Sequence, residues 1–228
     1  MLLLALADIH GRVDYLPEIL NSLKSVDLIL IAGDITNFGG WNQAEQVLKV
    51  IDKSKQTETQ ILGIPGNCDS PSVSDYLTSE GMNLDGNCVN VNHIQFAGLG
   101  GSLPCPGHTL NESPDEEFLT SLASIEAEIS TDKPFVLVTH QPAWGTIVDK
   151  THDRHTGSSA ILEFIIKHQP LLAVSGHIHE SPGVDHIGST TLVNPGPLCN
   201  GSYAQIEIEG NQVMTQIQNI KGSSNNCF

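Results

Sequence analysis

Leu171-Leu172-Ala173-Val174-Ser175-Gly176-His177-Ile178-His179 is a short apolar run ending in two histidines two residues apart. It has a counterpart at the start of the chain, Leu2-Leu3-Leu4-Ala5-Leu6-Ala7-Asp8-Ile9-His10. Bounded apolar runs of this length read as buried strands. Side chains alternate along extended backbone, so Asp8 with His10, and His177 with His179, are expected to act as two bidentate claws. Open α/β sheets place ligands beyond the carboxyl ends of their strands. The pair of segments therefore predicts a metal site where parallel strands end.

The segments between them alternate strand and helix. Strand 2–7 precedes a helical pattern over 13–23, with Leu16, Ile19, Leu20 and Leu23 on one face. Strand Leu28–Ala32, a helix over 41–51 and strand Gln60–Ile64 follow, and βαβαβ order implies a parallel sheet. Cys88–Val91 and 94–98 predict a hairpin about Asn92-His93, before a Gly/Pro-rich loop over 98–113. Such a loop in a compact domain is usually functional. Ser113-Pro114-Asp115-Glu116 predicts a helix start, with Ser113 as N-cap and Pro114 at the first helical position. Strand Phe135–Thr139, a helix over 158–168 and strand 171–175 come next. Strands at Gly183–Ile187, 190–193, 203–208 and 213–217 make the end β-rich. With no internal linker, residues 1–220 are expected to form one domain and 221–228 a disordered tail.

Composition narrows the function. The 228 residues carry a formal charge of −16 with ten basic side chains, which excludes a surface that coats nucleic acid. No apolar run is long enough to span a membrane, and Asp8 and His10 cut short any leader, so a cytoplasmic protein is expected. Five cysteines without C-x-x-C spacing give neither a zinc ribbon nor a disulfide framework.

Each parallel strand end carries candidate ligands: Asp8 and His10, Gly33-Asp34, Gly66-Asn67-Cys68-Asp69, His140, then His177 and His179. Three carboxyl or amide oxygens and four imidazoles suit two borderline divalent cations, Mn²⁺ first, with Fe, Zn, Co or Ni as alternatives, but not calcium. Two such ions held roughly 3.5–4 Å apart need a bridging carboxylate, and Asp34 lies between the two groups.

The series D-x-H, G-D, G-N-x-D, H, G-H-x-H over residues 8–179 resembles the calcineurin-like metallophosphoesterase superfamily. Val193-Asn194-Pro195-Gly196-Pro197 is similar to the segment that follows G-H-x-H in its small prokaryotic members. The resemblance implies a four-layer α/β/β/α sandwich of two mixed sheets. It implies Asp8, His10, Asp34 and His179 around one metal, and Asp34, Asn67, His140 and His177 around the other. It implies a small phosphate ester as substrate, attacked in line by a metal-bound hydroxide, with Asp34, Asn67, Asp69 and His140 in the catalytic machinery and Asp69 fixing an imidazole. Many members read G-N-H-D, where the histidine stabilises the transition state and protonates the leaving group; here that position is Cys68. A thiol is a poor substitute, which favours a phosphodiesterase acting on activated esters, as in the G-N-C-D branch. A phosphomonoesterase or nucleotidase is the first alternative, and a non-catalytic protein-binding module like the retromer subunit is the second.

Plainer readings compete with these. A lone Asp8 or Asp34 would be a helix N-cap, and a lone Asn67 a turn former. Four histidines in motif order outweigh four satisfied core histidines. Cys68 reads as buried filler rather than a nucleophile. His108, His152 and His155 in the long loops are candidates for the missing acid, against the commoner role of exposed loop residues. His93, His168 and His186 read as structural or surface, and Trp41 as packing rather than a lid.

Overall fold

The parallel strands are apolar on both faces because both faces of each sheet are covered. In β1 (Leu2–Leu6), Leu3 and Ala5 face one way and Leu4 and Leu6 the other, all fully buried. β2 (Leu28–Ala32) and β3 (Gln60–Ile64) repeat the pattern. The computed structural model describes residues 1–23 and 25–221. It pairs these strands in parallel, Leu4 opposite Ile29 and Leu30 opposite Leu62. β12 (Ser202–Glu209) joins β1 antiparallel and β13 (Gln212–Asn219) closes the order β13-β12-β1-β2-β3. The second sheet runs β10-β11-β9-β6-β5-β4, from Gly183–Ile187, Thr190–Asn194, Leu172–Val174, Phe135–Thr139, Ile94–Leu99 and Cys88–Val91 respectively.

Three apolar layers follow from this alternation. Leu3, Ala5, Leu30 and Ile64 meet Phe96, Val136, Val138 and Val174 between the sheets. Leu4, Leu6, Ile29 and Ile31 are covered by α1 (Leu16–Ser22), α2 (Trp41–Ser54) and α3 (Pro71–Ser79). Ala97, Leu137 and Ala173 are covered by α4 (Asp115–Glu128) and α5 (Ser159–His168). Each fully buried leucine among them contributes about 1.5–3 kcal/mol. The architecture is the four-layer α/β/β/α sandwich of two mixed sheets.

Several boundaries differ from expectation. α1 begins at Leu16 rather than 13, because turns closed by Arg12 N–H on Ile9 O and Leu16 N–H on Val13 O precede it and Pro17 sets its first turn. α3, with Ser70 at the N-cap position and Pro71 first in the helix, has no counterpart among the expected elements. At α4 the cap is Pro114, not Ser113. Ser113 is held outside the helix by its N–H bond to Ser102 O, and the Asp115 carboxylate accepts from the N–H groups of Ser159 and Ala160 at the start of α5. β7 (Lys150–Thr151) and β8 (Arg154–His155) add a small hairpin after β6. The expected tail over 221–228 lies, apart from Lys221, outside the described residues; Lys221 sits with its ammonium 4.7 Å from the Tyr15 ring centroid. No helix among the described residues is long and apolar enough to cross a membrane.

Candidate metal centre

The chain leaves its strands by turning left-handed. Asp8, His10, Asp34 and His177 all have positive φ, between 48° and 67°. The expected claws along extended backbone are therefore corrected: the pleat ends near Ala7, and left-handed turns aim the residues beyond it. Such conformations cost of order 1–3 kcal/mol each and persist only where the surroundings fix them. Here they are fixed by bonds from Asp8 N–H to Gly33 O (3.1 Å) and from His10 N–H to Asp34 O (2.9 Å). The 193–199 segment adds a clamp. Leu198 N–H donates to Ala7 O and Cys199 N–H to Asp8 O, while Asn194 Nδ2 donates to Ile178 O at 2.9 Å.

Two motif glycines allow the loops to close. A Cβ on Gly33, at φ 89°, would collide with the His140 ring, and one on Gly66 with Asp34 itself. Only a bare α-carbon lets β2, β3 and β6 bring their ends this near.

Seven side chains then converge. His10 Nε2 lies 3.4 Å from His179 Nε2 and 3.7 Å from Asp34 Oδ2. His179 Nε2 lies 3.4 Å from Asp8 Oδ1, and His140 Nε2 lies 3.5 Å from Asp34 Oδ2 and 2.7 Å from Asn67 Oδ1. Four donors about 2.1 Å from one centre sit roughly 3.4 Å apart in a tetrahedron, so these spacings fit a shared cation. Apart from the His140–Asn67 contact, they are too long for strong hydrogen bonds between the donors themselves. Donor atoms of Asp8, His10 and His179 lie within 4.8 Å of one another, as do those of His10, Asp34 and Cys68, and of Asp8, Asp34 and His140. His177 stands beside these groups, its ring centroid 5.1 Å from that of His140, while His179 packs against His10 at 5.3 Å. The two histidines of G-H-x-H thus go to opposite sides.

The electrostatics suit a cation. Burial would raise the Asp34 carboxyl, but His140, His10 and the Cys68 N–H hold it well below the usual carboxylate range. Burial would likewise raise Asp8, and His179 holds it down. Burial works to lower His140, yet Asp34 lifts it to about 9, whereas burial, with His140 beside it, takes His177 down to about 4. His140 Nδ1 faces Ala32 O at 2.8 Å, which fixes one ring proton on Nδ1, so Nε2 is the nitrogen that would give up its proton to an incoming cation.

Asp69 differs from expectation. Among the described residues no hydrogen bond joins it to an imidazole; its carboxylate accepts from the N–H groups of Ile35, Thr36 and Gly66 and from the Thr36 hydroxyl, at 2.7–3.0 Å. It ties the β2 loop to the β3 loop. Thr109, without any signal in its Gly/Pro-rich loop, accepts from Asn67 Nδ2 at 2.9 Å, while Glu112 accepts from its amide and hydroxyl at 2.6 Å. His155 is held by the buried Asp149 carboxylate at 2.6 Å and packs on Trp144; His108 and His152 are exposed in turns. Trp41 is half exposed at the start of α2.

The family pattern for calcineurin-like phosphoesterases matches residues 1–181. The chain belongs to that family. It is 34% identical to the uncharacterized protein MJ1162 of Methanocaldococcus jannaschii over 220 residues, which cover 94% of this chain and 95% of that one. Among solved structures, TT1561 of Thermus thermophilus aligns with a TM-score of 0.73 at 18% identity, covering 94% and 97% of the two chains. A dimetal phosphatase from Danio rerio aligns at 0.68 and 12% identity, covering 96% of each. These two likenesses concern the calcineurin-like fold alone.

Proposed function

We propose that the protein is a cytoplasmic phosphodiesterase that hydrolyses small phosphate diesters with two divalent transition metal ions, Mn²⁺ foremost. Asp8, His10, Asp34 and His179 would hold one ion, and Asp34, Asn67, His140 and His177 the other. The observation that carries this reading is the position of Asp34 Oδ2, 3.7 Å from His10 on one side and 3.5 Å from His140 on the other. Such ions, when bound, supply Lewis acidity toward a phosphoryl oxygen and the attacking water.

The chain's own contributions follow from the contacts. Asp34 Oδ1 is occupied by the Cys68 N–H at 2.7 Å, so Oδ2 is the oxygen that would be left for the ions. Thr109 turns the Asn67 amide so that its oxygen, not its nitrogen, faces His140. Asp69 holds the two loops at fixed separation without touching the reacting groups. Preference for a diester rests on Cys68. Its thiol is pushed far above the ordinary range, by burial first and then by Asp34, so it donates a proton poorly to a leaving alcohol. Activated diesters tolerate that deficit best.

The test is hydrolysis of bis-p-nitrophenyl phosphate against p-nitrophenyl phosphate in Mn²⁺. Faster diester turnover is expected. The reverse ratio supports a monoesterase, and no turnover across Mn²⁺, Zn²⁺, Co²⁺ and Ni²⁺ supports a binding module on this fold.

A further inference from the structure

We propose that Cys68 is itself a metal ligand, a sulfur donor to the ion on the His10 side of the centre. The inference rests on the dinuclear reading above. Its Sγ, a ring nitrogen of His10 and a carboxylate oxygen of Asp34 all lie within 4.8 Å of one another. Those two partners are the ones assigned above to the first ion, so the thiol adds a vertex to a site already formed.

The surroundings hold the sulfur there. Cys68 is 6% exposed and its backbone N–H is committed to Asp34 Oδ1 at 2.7 Å, which fixes its Cβ against the bridging carboxylate. A thiol has one rotatable bond and cannot reach across a substrate pocket as an imidazole can. It is long enough to meet an ion beside the residue that its own amide touches. Its hydrogen bond from Asn67 Nδ2, at 3.7 Å to sulfur, is long and weak and leaves the sulfur lone pairs uncommitted. On binding, the S–H bond gives its proton to solvent and the thiolate pair enters the metal–sulfur bond.

A sulfur donor changes which ion the site prefers. Thiolate selects Zn²⁺, Co²⁺ or Fe²⁺ over Mn²⁺ and Mg²⁺. Asn67, His140 and His177 offer the second ion only nitrogen and oxygen. The two positions therefore differ in softness: the His10 side is the thiophilic one, and the Mn²⁺ preference stated above belongs to the position lined by nitrogen and oxygen alone.

Metal-free full-length protein loaded with two equivalents of Co²⁺ should show a near-ultraviolet sulfur-to-cobalt charge-transfer band. The band should vanish in Cys68→Ser and persist in Cys105→Ser. Zinc-loaded wild type, which does not depend on any variant folding, should show a zinc–sulfur scattering shell at about 2.3 Å in X-ray absorption. Selectivity for Zn²⁺ over Mn²⁺ should fall roughly tenfold or more in Cys68→Ser. Two bound cobalt ions without the band, a band that survives Cys68→Ser, or zinc without a sulfur shell would overturn the assignment and leave the dinuclear reading standing. Failure to take up either metal overturns both.

Discussion

Cys68 donates its backbone N–H to Asp34 Oδ1 at 2.7 Å, so one oxygen of the central carboxylate is tied to the protein and the other is free for the site. Asp34 is thus fixed in rotation as well as position. In Asp34→Asn the tied oxygen can still accept that bond, so the fold should survive while the charge is lost. Metal uptake should be abolished and turnover should fall by about 10³-fold or more, as read by metal analysis and diester hydrolysis. Full activity in this variant would remove Asp34 from the bridging role.

Thr109→Val keeps the shape of the loop but removes the acceptor for Asn67 Nδ2. Without it the amide is free to turn its nitrogen toward His140. Losing a group that orients a ligand typically costs roughly 10–100-fold in metal affinity. That range is expected here by metal titration, with unfolding in urea little changed. An unchanged affinity would mean that Thr109 does not orient Asn67.

Glu112, in turn, holds Thr109. Slight burial would raise its carboxyl, but the Cys105 thiol and the Thr109 hydroxyl and amide bring it to about 2. A folded-state pKa below the ordinary carboxylate value of about 4.3 means the clamp is complete above that value. It is lost as pH falls through about 2. The Thr109 amide resonance should therefore titrate near that low pH; a midpoint near the ordinary value would disprove the clamp.

Asp69→Ala strips an acceptor from four buried donors at once. Each donor left unsatisfied costs about 1–3 kcal/mol before relaxation. A loss of at least about 3 kcal/mol in the metal-free protein is expected from urea unfolding. A change under about 1 kcal/mol would show that water replaces the carboxylate freely.

Gly33→Ala brings two penalties together, a left-handed backbone at φ 89° and a methyl group driven into the His140 ring. About 2–3 kcal/mol of stability should be lost, along with metal affinity, because His140 must move. Wild-type metal titration and unfolding curves in this variant would contradict the close approach of Gly33 to that ring.

The sheets and the side chains that gather at their ends are legible in the sequence because apolar runs and motif order are local signals. Leu171 to His179 announces both a strand and the histidines gathered beyond its end. What is not legible depends on contacts between distant residues. Ser70-Pro71 and Ser113-Pro114 look alike in sequence, yet the first is cap and first turn while the second lies one residue outside its helix, because Ser102 holds Ser113. Thr109 and the backbone partners of Asp69 come from loops whose path no periodicity encodes. The left-handed turns at Asp8 and His177 escape strand alternation, which holds only as far as the strands themselves run.

β1 has β2 on one flank and β12 on the other, so a strand made early in synthesis waits for residues 202–209 before its second edge is paired. Until then Leu2–Leu6 is a bare apolar border of the kind that recruits foreign strands. His10 likewise meets His179 only after 169 further positions have been made. Nascent chains stalled before the β12 codons should thus be prone to clump, and release of the last two strands is the event that seals the border.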